Sequence, residues 1–258
     1  MKVYANEPIV ALLGEPRLES ERSDEVLFGW SMEVLEDLGE FYKVRAFYRY
    51  EGYVEKKRVT ERRESDHQLK MIKNAFSDLM REPVIQSHVA LTLPRGSVLR
   101  SCGTKENQFV KVYDHDLKAY WVHANQLVDV PKKNFDRRAI VDTALSFMDV
   151  SYRWGGKTHA GLDCSGLMFI SYLLNGLQIY RDANIVEGFG ILEIPREEAQ
   201  PADLIFFPGH VAMLIDKDLY VHSNLRDGKV SINSLDPDHE LYLEGLANSI
   251  TAFGAYHE

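Results

Sequence analysis

Residues 152–166 restrict the fold more than any other part of this chain. They read Tyr152-Arg153-Trp154-Gly155-Gly156-Lys157-Thr158-His159-Ala160-Gly161-Leu162-Asp163-Cys164-Ser165-Gly166. Glycines in this run let the backbone turn tightly and approach a neighbouring group closely. Asp163 and Ser165 are typical of a helix start. Leu167, Met168, Ile170, Ser171 and Leu174 continue as a helix packed on one side. Cys164 is therefore expected at a helix N-terminus. There the partial positive charge favours thiolate over thiol, and free N–H groups can bind a developing oxyanion. The ordinary fate of a free cysteine is a buried, inert side chain. Cys102, in a β-rich stretch with no helix start, is expected to follow it.

A nucleophilic cysteine needs a base within hydrogen-bond reach, and the base needs an orienter. The chain has nine histidines. His210 opens the strand-like run His210-Val211-Ala212-Met213-Leu214-Ile215, and His222 ends Leu219-Tyr220-Val221-His222. Asp216-Lys217-Asp218 suits a three-residue hairpin loop. That loop length makes paired residue numbers sum to an even value, so His210 and His222 point to one face. A two-residue loop would put them on opposite faces. The expected set is Cys164 as nucleophile, His210 as base and His222 as the group that holds the base's ring. His159, five residues before Cys164, is the rival base by proximity.

The 258 residues and 29.6 kDa allow one large domain or two to three small ones. A net charge of -9 argues against a nucleic-acid partner, because phosphate contacts need clustered Lys and Arg. No run approaches the length of apolar sequence that crosses a bilayer. Residues 1–20 carry no basic start followed by an apolar stretch, so no secretory signal is expected there; a trimmed chain would read the same, and either side of a membrane stays open. Without CxxC or HExxH, no metal site and no cofactor are expected.

Three zones follow. Residues 1–60 read as short strands with turn signals, a first small barrel. Residues 61–82 are charged, with Leu69, Ile72, Phe76 and Leu79 at helical spacing, a connector with one amphipathic helix. Residues 83–130 repeat the first plan at roughly fifty residues, with Tyr120-Trp121-Val122 matching Gly52-Tyr53-Val54, a second barrel. Residues 131–258 place helices at Arg137 to Met148 and Cys164 to about Asn175 before three strand-like runs, an α+β domain with an antiparallel sheet.

Residues 131–258 resemble the NlpC/P60 cysteine peptidases. The resemblance is carried by Tyr152-Arg153-Trp154-Gly155-Gly156, Leu162-Asp163-Cys164-Ser165-Gly166-Leu167, Pro201-Ala202-Asp203-Leu204-Ile205-Phe206-Phe207, Gly209-His210-Val211-Ala212-Met213 and Tyr220-Val221-His222-Ser223. It implies a papain-like domain, preceded here by two regions resembling bacterial SH3-like barrels. It implies cleavage of peptidoglycan stem peptides by Cys164, His210 and His222. The whole chain is similar to the γ-D-glutamyl-L-diamino acid endopeptidases that act on free stem peptides, L-Ala-γ-D-Glu-diamino acid, in cell-wall recycling. In that subgroup the first barrel reads an unsubstituted L-Ala amine. The matching residues are Asp163, Glu25 and Tyr50, with Tyr53 an alternative to Tyr50; Tyr152 lines the cleft, and Ser165 contacts substrate. The chain departs from the pattern at Ala183, which lacks the hydroxyl often found after Arg181-Asp182, at Asn184-Ile185-Val186-Glu187, and in a short loop before His210. Two other readings are a wall-binding module with a degenerate enzyme domain, and an amidase or acyl transferase on intact wall.

Overall fold

Alternating burial organises the first half of the chain. Along β6 (Glu51–Glu55), Gly52 and Val54 point inward while Glu51 faces solvent, the period-two pattern of a sheet with one buried face. The computed structural model describes residues 1–257 and divides into two compact units, Met1–Val130 and one beginning at Pro131. In the first unit, β1 (Lys2–Ala5), β2 (Ile9–Leu13), β3 (Arg22–Leu27), β4 (Ser31–Leu38), β5 (Phe41–Ala46), β6 and β7 (Val59–Thr60) form a seven-stranded antiparallel sheet of order β3-β2-β6-β5-β4-β1-β7. The same order recurs as β10-β9-β13-β12-β11-β8-β14. The strands are β8 (Gln68–Ile72), β9 (Phe76–Met80), β10 (Val89–Pro94), β11 (Val98–Glu106), β12 (Phe109–Tyr113), β13 (Ala119–His123) and β14 (Leu127–Asp129).

The repeat extends to loop chemistry. Ser20 Oγ accepts from the Glu15 N–H at 2.9 Å, and Ser87 Oγ accepts from the Glu82 N–H at 2.8 Å, within the matching Glu15-Pro16 and Glu82-Pro83 turns. The strand starts recur 66 to 68 residues apart, not roughly fifty. The pairing of Gly52-Tyr53-Val54 with Tyr120-Trp121-Val122 has that spacing.

The expected helix over Leu69 to Leu79 is absent, and strands β8 and β9 occupy the segment. The second sheet therefore begins at Gln68 rather than residue 83. The helical spacing misleads because the four residues do not share an environment: Ile72 and Leu79 are buried, while Leu69 and Phe76 are exposed. An isolated helix of this length is marginal in water. Pairing of β8 with β11 and β14, and of β9 with β10 and β13, satisfies the same backbone groups within a sheet.

The two sheets are joined through one corner. Phe28 inserts into the second sheet's core with Ile72, Leu93, Leu99, Val112 and Val122. The Val98 N–H donates to the Phe28 carbonyl at 2.8 Å, and Trp30 Nε1 donates to the Gly96 carbonyl at 2.8 Å. Gly29 lies between them at φ +84°, where an added Cβ would stand 2.0 Å from the Val98 carbonyl oxygen.

The second unit is α+β, as expected. It contains α1 (Arg137–Leu145), the short pair β15 (Lys157–Thr158) and β16 (Gly161–Leu162), α2 (Cys164–Leu173), β17 (Ile191–Ile194), β18 (Leu204–Phe207), β19 (His210–Leu214), β20 (Leu219–Asn224), β21 (Lys229–Ser234), α3 (Glu244–Ala247) and β22 (Ala252–Tyr256). The main sheet is antiparallel, of order β17-β22-β18-β19-β20-β21, and α2 packs across β19 and β20. Eight consecutive buried residues from Ser165 to Tyr172 show that α2 is a core helix. Among the described residues no helix is long and apolar enough to cross a membrane.

The Gly29 corner yields a stability test. Gly29→Ala adds a backbone clash and a strained positive φ, and should destabilise the first unit by about 2–4 kcal/mol. Thermal melting followed by Trp30 fluorescence should show this as a lowered transition; an unchanged midpoint would contradict the corner's role.

Candidate active site

Asp163 starts the site. It is the N-cap of α2, and its Oδ1 accepts from the Gly166 N–H at 2.6 Å, satisfying a first-turn donor. Its Oδ2 accepts from the Gly155 N–H at 2.8 Å, so one carboxylate ties the glycine loop to the helix start. Arg181 grips both oxygens, Nη1 to Oδ1 at 3.1 Å and Nη2 to Oδ2 at 3.2 Å. Arg181 also donates to Ser165 Oγ at 2.8 Å and reaches the Gly156 carbonyl at 3.3 Å. Gly166 has no space for a side chain, since an added Cβ would stand 2.0 Å from the Gly156 carbonyl oxygen. The loop thereby lies directly against the helix start.

Cys164 is the first residue of α2 and is buried. The backbone N–H groups of Val211 and Ser165, with Arg181, favour the anion at its sulfur. Burial opposes them first and the Asp163 carboxylate second, and the net effect pushes the thiol above its ordinary value. The expected resting thiolate is thus corrected. The helix N-terminus is countered by its own capping carboxylate one residue away, and desolvation disfavours the charged sulfur.

The histidine parity holds. On β19 and β20, Met213 lies opposite Val221 and Leu214 opposite Tyr220, and the Ile215 N–H donates to the Leu219 carbonyl at 2.9 Å across the turn. His210 and His222 share a face, with His210 Nε2 and His222 Nδ1 2.8 Å apart. On β21, Ser231 lies opposite His222, so Asn233, two residues on, faces the same side.

Asn233 sets the proton positions. Its Nδ2 donates to the Leu241 carbonyl at 3.0 Å, which turns Oδ1 toward His222 Nε2 at 2.8 Å. An amide oxygen only accepts, so His222 carries its proton on Nε2. Its Nδ1 is then a bare acceptor, and His210 donates to it from Nε2. The remaining nitrogen of His210, Nδ1, keeps a lone pair. Asn224 Nδ2 also approaches His222 Nε2, at 3.0 Å. Its two protons are directed to Asp227 Oδ2 at 3.1 Å and Ser231 Oγ at 2.8 Å, so it does not displace the Asn233 bond.

Burial, followed by the neighbouring His222, drives His210 down to about 4. Burial also lowers His222, against the opposing bond from Asn233. With the thiol raised, the resting pair at neutral pH is uncharged thiol and uncharged imidazole. Such a site can pass the cysteine proton to a neutral base as the sulfur attacks.

The remaining candidates fall as follows. Tyr152 is pushed up to about 12, by burial first and then by Cys164 and Asp163. Ser165 is buried and engaged by Arg181. His159 stacks on Phe147 with ring centroids 4.2 Å apart and approaches the Ser146 carbonyl, so its ring is engaged at the end of α1. Glu25 and Tyr50 belong to the first unit: Glu25 is fully buried with Arg22 3.8 Å away, and Tyr50 Oη is 3.5 Å from the Ser23 carbonyl. Cys102 departs from the expected buried thiol. It is exposed, and hydrogen bonds from Thr104 and then Tyr113 bring it down to about 7. Arg181 and Asn233 escaped the sequence reading; a buried arginine and the register of β21 leave no local signal. Among the described residues, no cluster of His, Cys, Asp or Glu side chains is arranged to hold a metal.

Two measurements test this geometry. In a Cys102→Ser background, which removes the competing exposed thiol, iodoacetamide should alkylate Cys164 slowly near neutrality. The rate should climb roughly tenfold per pH unit toward pH 9; a fast plateau at acidic pH would instead indicate a preformed ion pair. Nitrogen-15 NMR should show His210 protonated on Nε2 and bare on Nδ1. Asn233→Leu should abolish that single pattern and reduce turnover about tenfold or more, while Asn233→Asp, which keeps an acceptor, should retain the order. An unaltered pattern in Asn233→Leu would remove Asn233 from the relay.

The NlpC/P60 family model matches residues 149–242, which hold Cys164, His210 and His222. Dipeptidyl-peptidase 6 of Lysinibacillus sphaericus is 40% identical over 95% of this chain and 95% of its own. The γ-D-glutamyl-L-lysine dipeptidyl-peptidase of Bacillus subtilis (strain 168) is 28% identical over 51% of this chain and 46% of its own. The crystal structure of an NlpC/P60 family protein from Bacillus cereus ATCC 10987 superposes over 99% of both chains with a TM-score of 0.83 at 18% identity, a likeness of fold. Near full-length similarity to one relative, together with the family match across the cysteine and both histidines, places this chain in the NlpC/P60 family of cysteine peptidases.

Proposed function

We propose that this chain hydrolyses the γ-D-glutamyl-L-diamino acid bond of free peptidoglycan stem peptides bearing an unsubstituted N-terminal L-Ala. The observation that carries the reading is the His210–His222–Asn233 chain, which leaves one base nitrogen free, on a sheet that α2 packs across with Cys164 in its first turn. In the first step the Cys164 sulfur attacks the carbonyl of γ-D-Glu, and its proton passes to His210 Nδ1. The first-turn N–H groups of α2 face the developing oxyanion. His210 then protonates the leaving amine, and the same nitrogen draws a proton from water to release the acyl group. His222 and Asn233 hold the ring and stabilise the transient imidazolium.

The substrate class is supported by the relatives' names. Both contain "dipeptidyl-peptidase", an activity that removes two residues from a free amino end, and one also names the γ-D-glutamyl-L-lysine bond. By the family resemblance Asp163 reads that free amine and Tyr152 and Ser165 contact the substrate, while Glu25 and Tyr50 of the first unit match the amine-reading residues by resemblance alone. In this reading the tandem sheets of the first unit are SH3-like barrels that serve the peptidase. The intact relay disfavours the alternative of a degenerate enzyme on a wall-binding module.

Mass spectrometry of L-Ala-γ-D-Glu-diaminopimelate after incubation with the protein should show L-Ala-D-Glu. Cys164→Ala should reduce its yield by a factor of about a thousand or more. N-acetylation of the L-Ala should remove most activity. Equal cleavage of the acetylated peptide would point to an enzyme of intact wall, and no cleavage of either peptide would overturn the assignment.

A further inference from the structure

The turn of the β20–β21 hairpin carries a polar cluster behind the two imidazoles. His222 and Asn224 share one face of β20, and Ser231, opposite His222 on β21, faces the same side. The turn brings Asp227 back onto that face, within hydrogen-bond reach of Asn224 and Ser231. Asn224 is buried, and its Oδ1 accepts from the Asp227 N–H at 2.8 Å. A main-chain N–H only donates, so the amide nitrogen Nδ2 is the atom turned toward the rest of the cluster.

Three neighbours compete for the two protons on that nitrogen. His222 Nε2 lies 3.0 Å away, Asp227 Oδ2 3.1 Å and Ser231 Oγ 2.8 Å. Ser231 donates its one proton to Asp227 Oδ2 at 2.8 Å, which leaves it an acceptor toward Asn224. Hydrogen bonds from Ser231 first, and then from Asn224, hold the Asp227 carboxyl below its ordinary value, so at neutral pH it only accepts. Its other oxygen, Oδ1, faces Arg226 Nε at 3.9 Å, and Oδ2 is left to the cluster.

Removing the carboxylate would free one Asn224 proton for His222 Nε2. A ring that accepts there carries its own proton on Nδ1 and donates it to His210 Nε2. His210 would then hold its proton on Nδ1, the nitrogen that must be bare to act as base. Asn233 and Asn224 thus favour opposite proton orders at one ring nitrogen, and the carboxylate decides between them. We propose that Asp227 is a positioning residue that selects the working proton order of the His210–His222 pair by drawing the Asn224 amide protons away from His222 Nε2. It acts through Asn224, with no hydrogen bond of its own to either ring among the described residues. The inference rests on the proposed peptidase reaction for its effect on turnover, while the proton order belongs to the free protein.

Nitrogen-15 NMR of the histidine rings in the full chain, without substrate, reads that order. The wild type should show His222 protonated on Nε2. Asp227→Ala should move that proton to Nδ1 and, with it, the His210 proton from Nε2 to Nδ1. Asp227→Asn, which keeps a neutral acceptor at the same place, should retain most of the wild-type order. Asp227→Ala combined with Asn224→Leu, which removes the competing donor, should restore it; a role confined to holding the turn would not be rescued by a second change there. On L-Ala-γ-D-Glu-diaminopimelate, Asp227→Ala should lower kcat roughly tenfold or more with KM little changed, and the double variant should regain most of that loss. A wild-type ring pattern in Asp227→Ala, or an altered pattern that Asn224→Leu does not restore, would overturn this assignment. Absence of cleavage by the wild type would overturn the peptidase reading, and the ring pattern would still decide this one.

Discussion

The second unit is organised around a buried carboxylate that gathers hydrogen bonds from the glycine loop, the helix start and an arginine. Asp163 receives the N–H groups of Gly155 and Gly166 and both arms of Arg181. A buried charge is tolerated only when it is paired and hydrogen-bonded, and here the requirement positions the site. The glycine loop, the helix start and Arg181 are all drawn to one point. Cys164 is the next residue, so its position follows from the cap rather than from contacts of its own. Gly156 and Gly166 matter for the same reason, since the close approach leaves no room for a Cβ.

That arrangement also sets the protonation of the site. A carboxylate adjacent to the sulfur offsets the helix field that would favour a thiolate, while burial keeps His210 neutral. Both effects favour the uncharged thiol and the uncharged imidazole. The direction of proton transfer is controlled from a distance. The Leu241 carbonyl orients the Asn233 amide, the amide fixes His222, and His222 fixes His210. A main-chain oxygen thereby determines which His210 nitrogen keeps a lone pair.

Particular residues show what was readable in advance. Asp163 as a cap and Cys164 as the first helical residue follow from local propensity, which acts over three or four positions. The shared face of His210 and His222 follows from one loop length and the period of a strand. Leu69 to Leu79 defeated the same kind of reasoning, because apolar spacing over eleven residues fits a helix until the long-range partners of β8 and β9 are known. The period of the tandem sheets was misjudged as roughly fifty, although the match of Gly52-Tyr53-Val54 with Tyr120-Trp121-Val122 already carries the spacing at which the strands recur.

By itself the sequence determined the elements whose causes are local: the capped helix, the hairpin that aligns two imidazoles, and the α+β character of the second half. Tertiary structure alone decided the equal strand order of the two N-terminal sheets, the capture of Asp163 by Arg181, the place of Asn233 behind His222 and the neutral state of the pair. These depend on residues distant in sequence meeting in a desolvated interior. There the cost of burying a charge and the direction of each hydrogen bond are set by neighbours that no local pattern names.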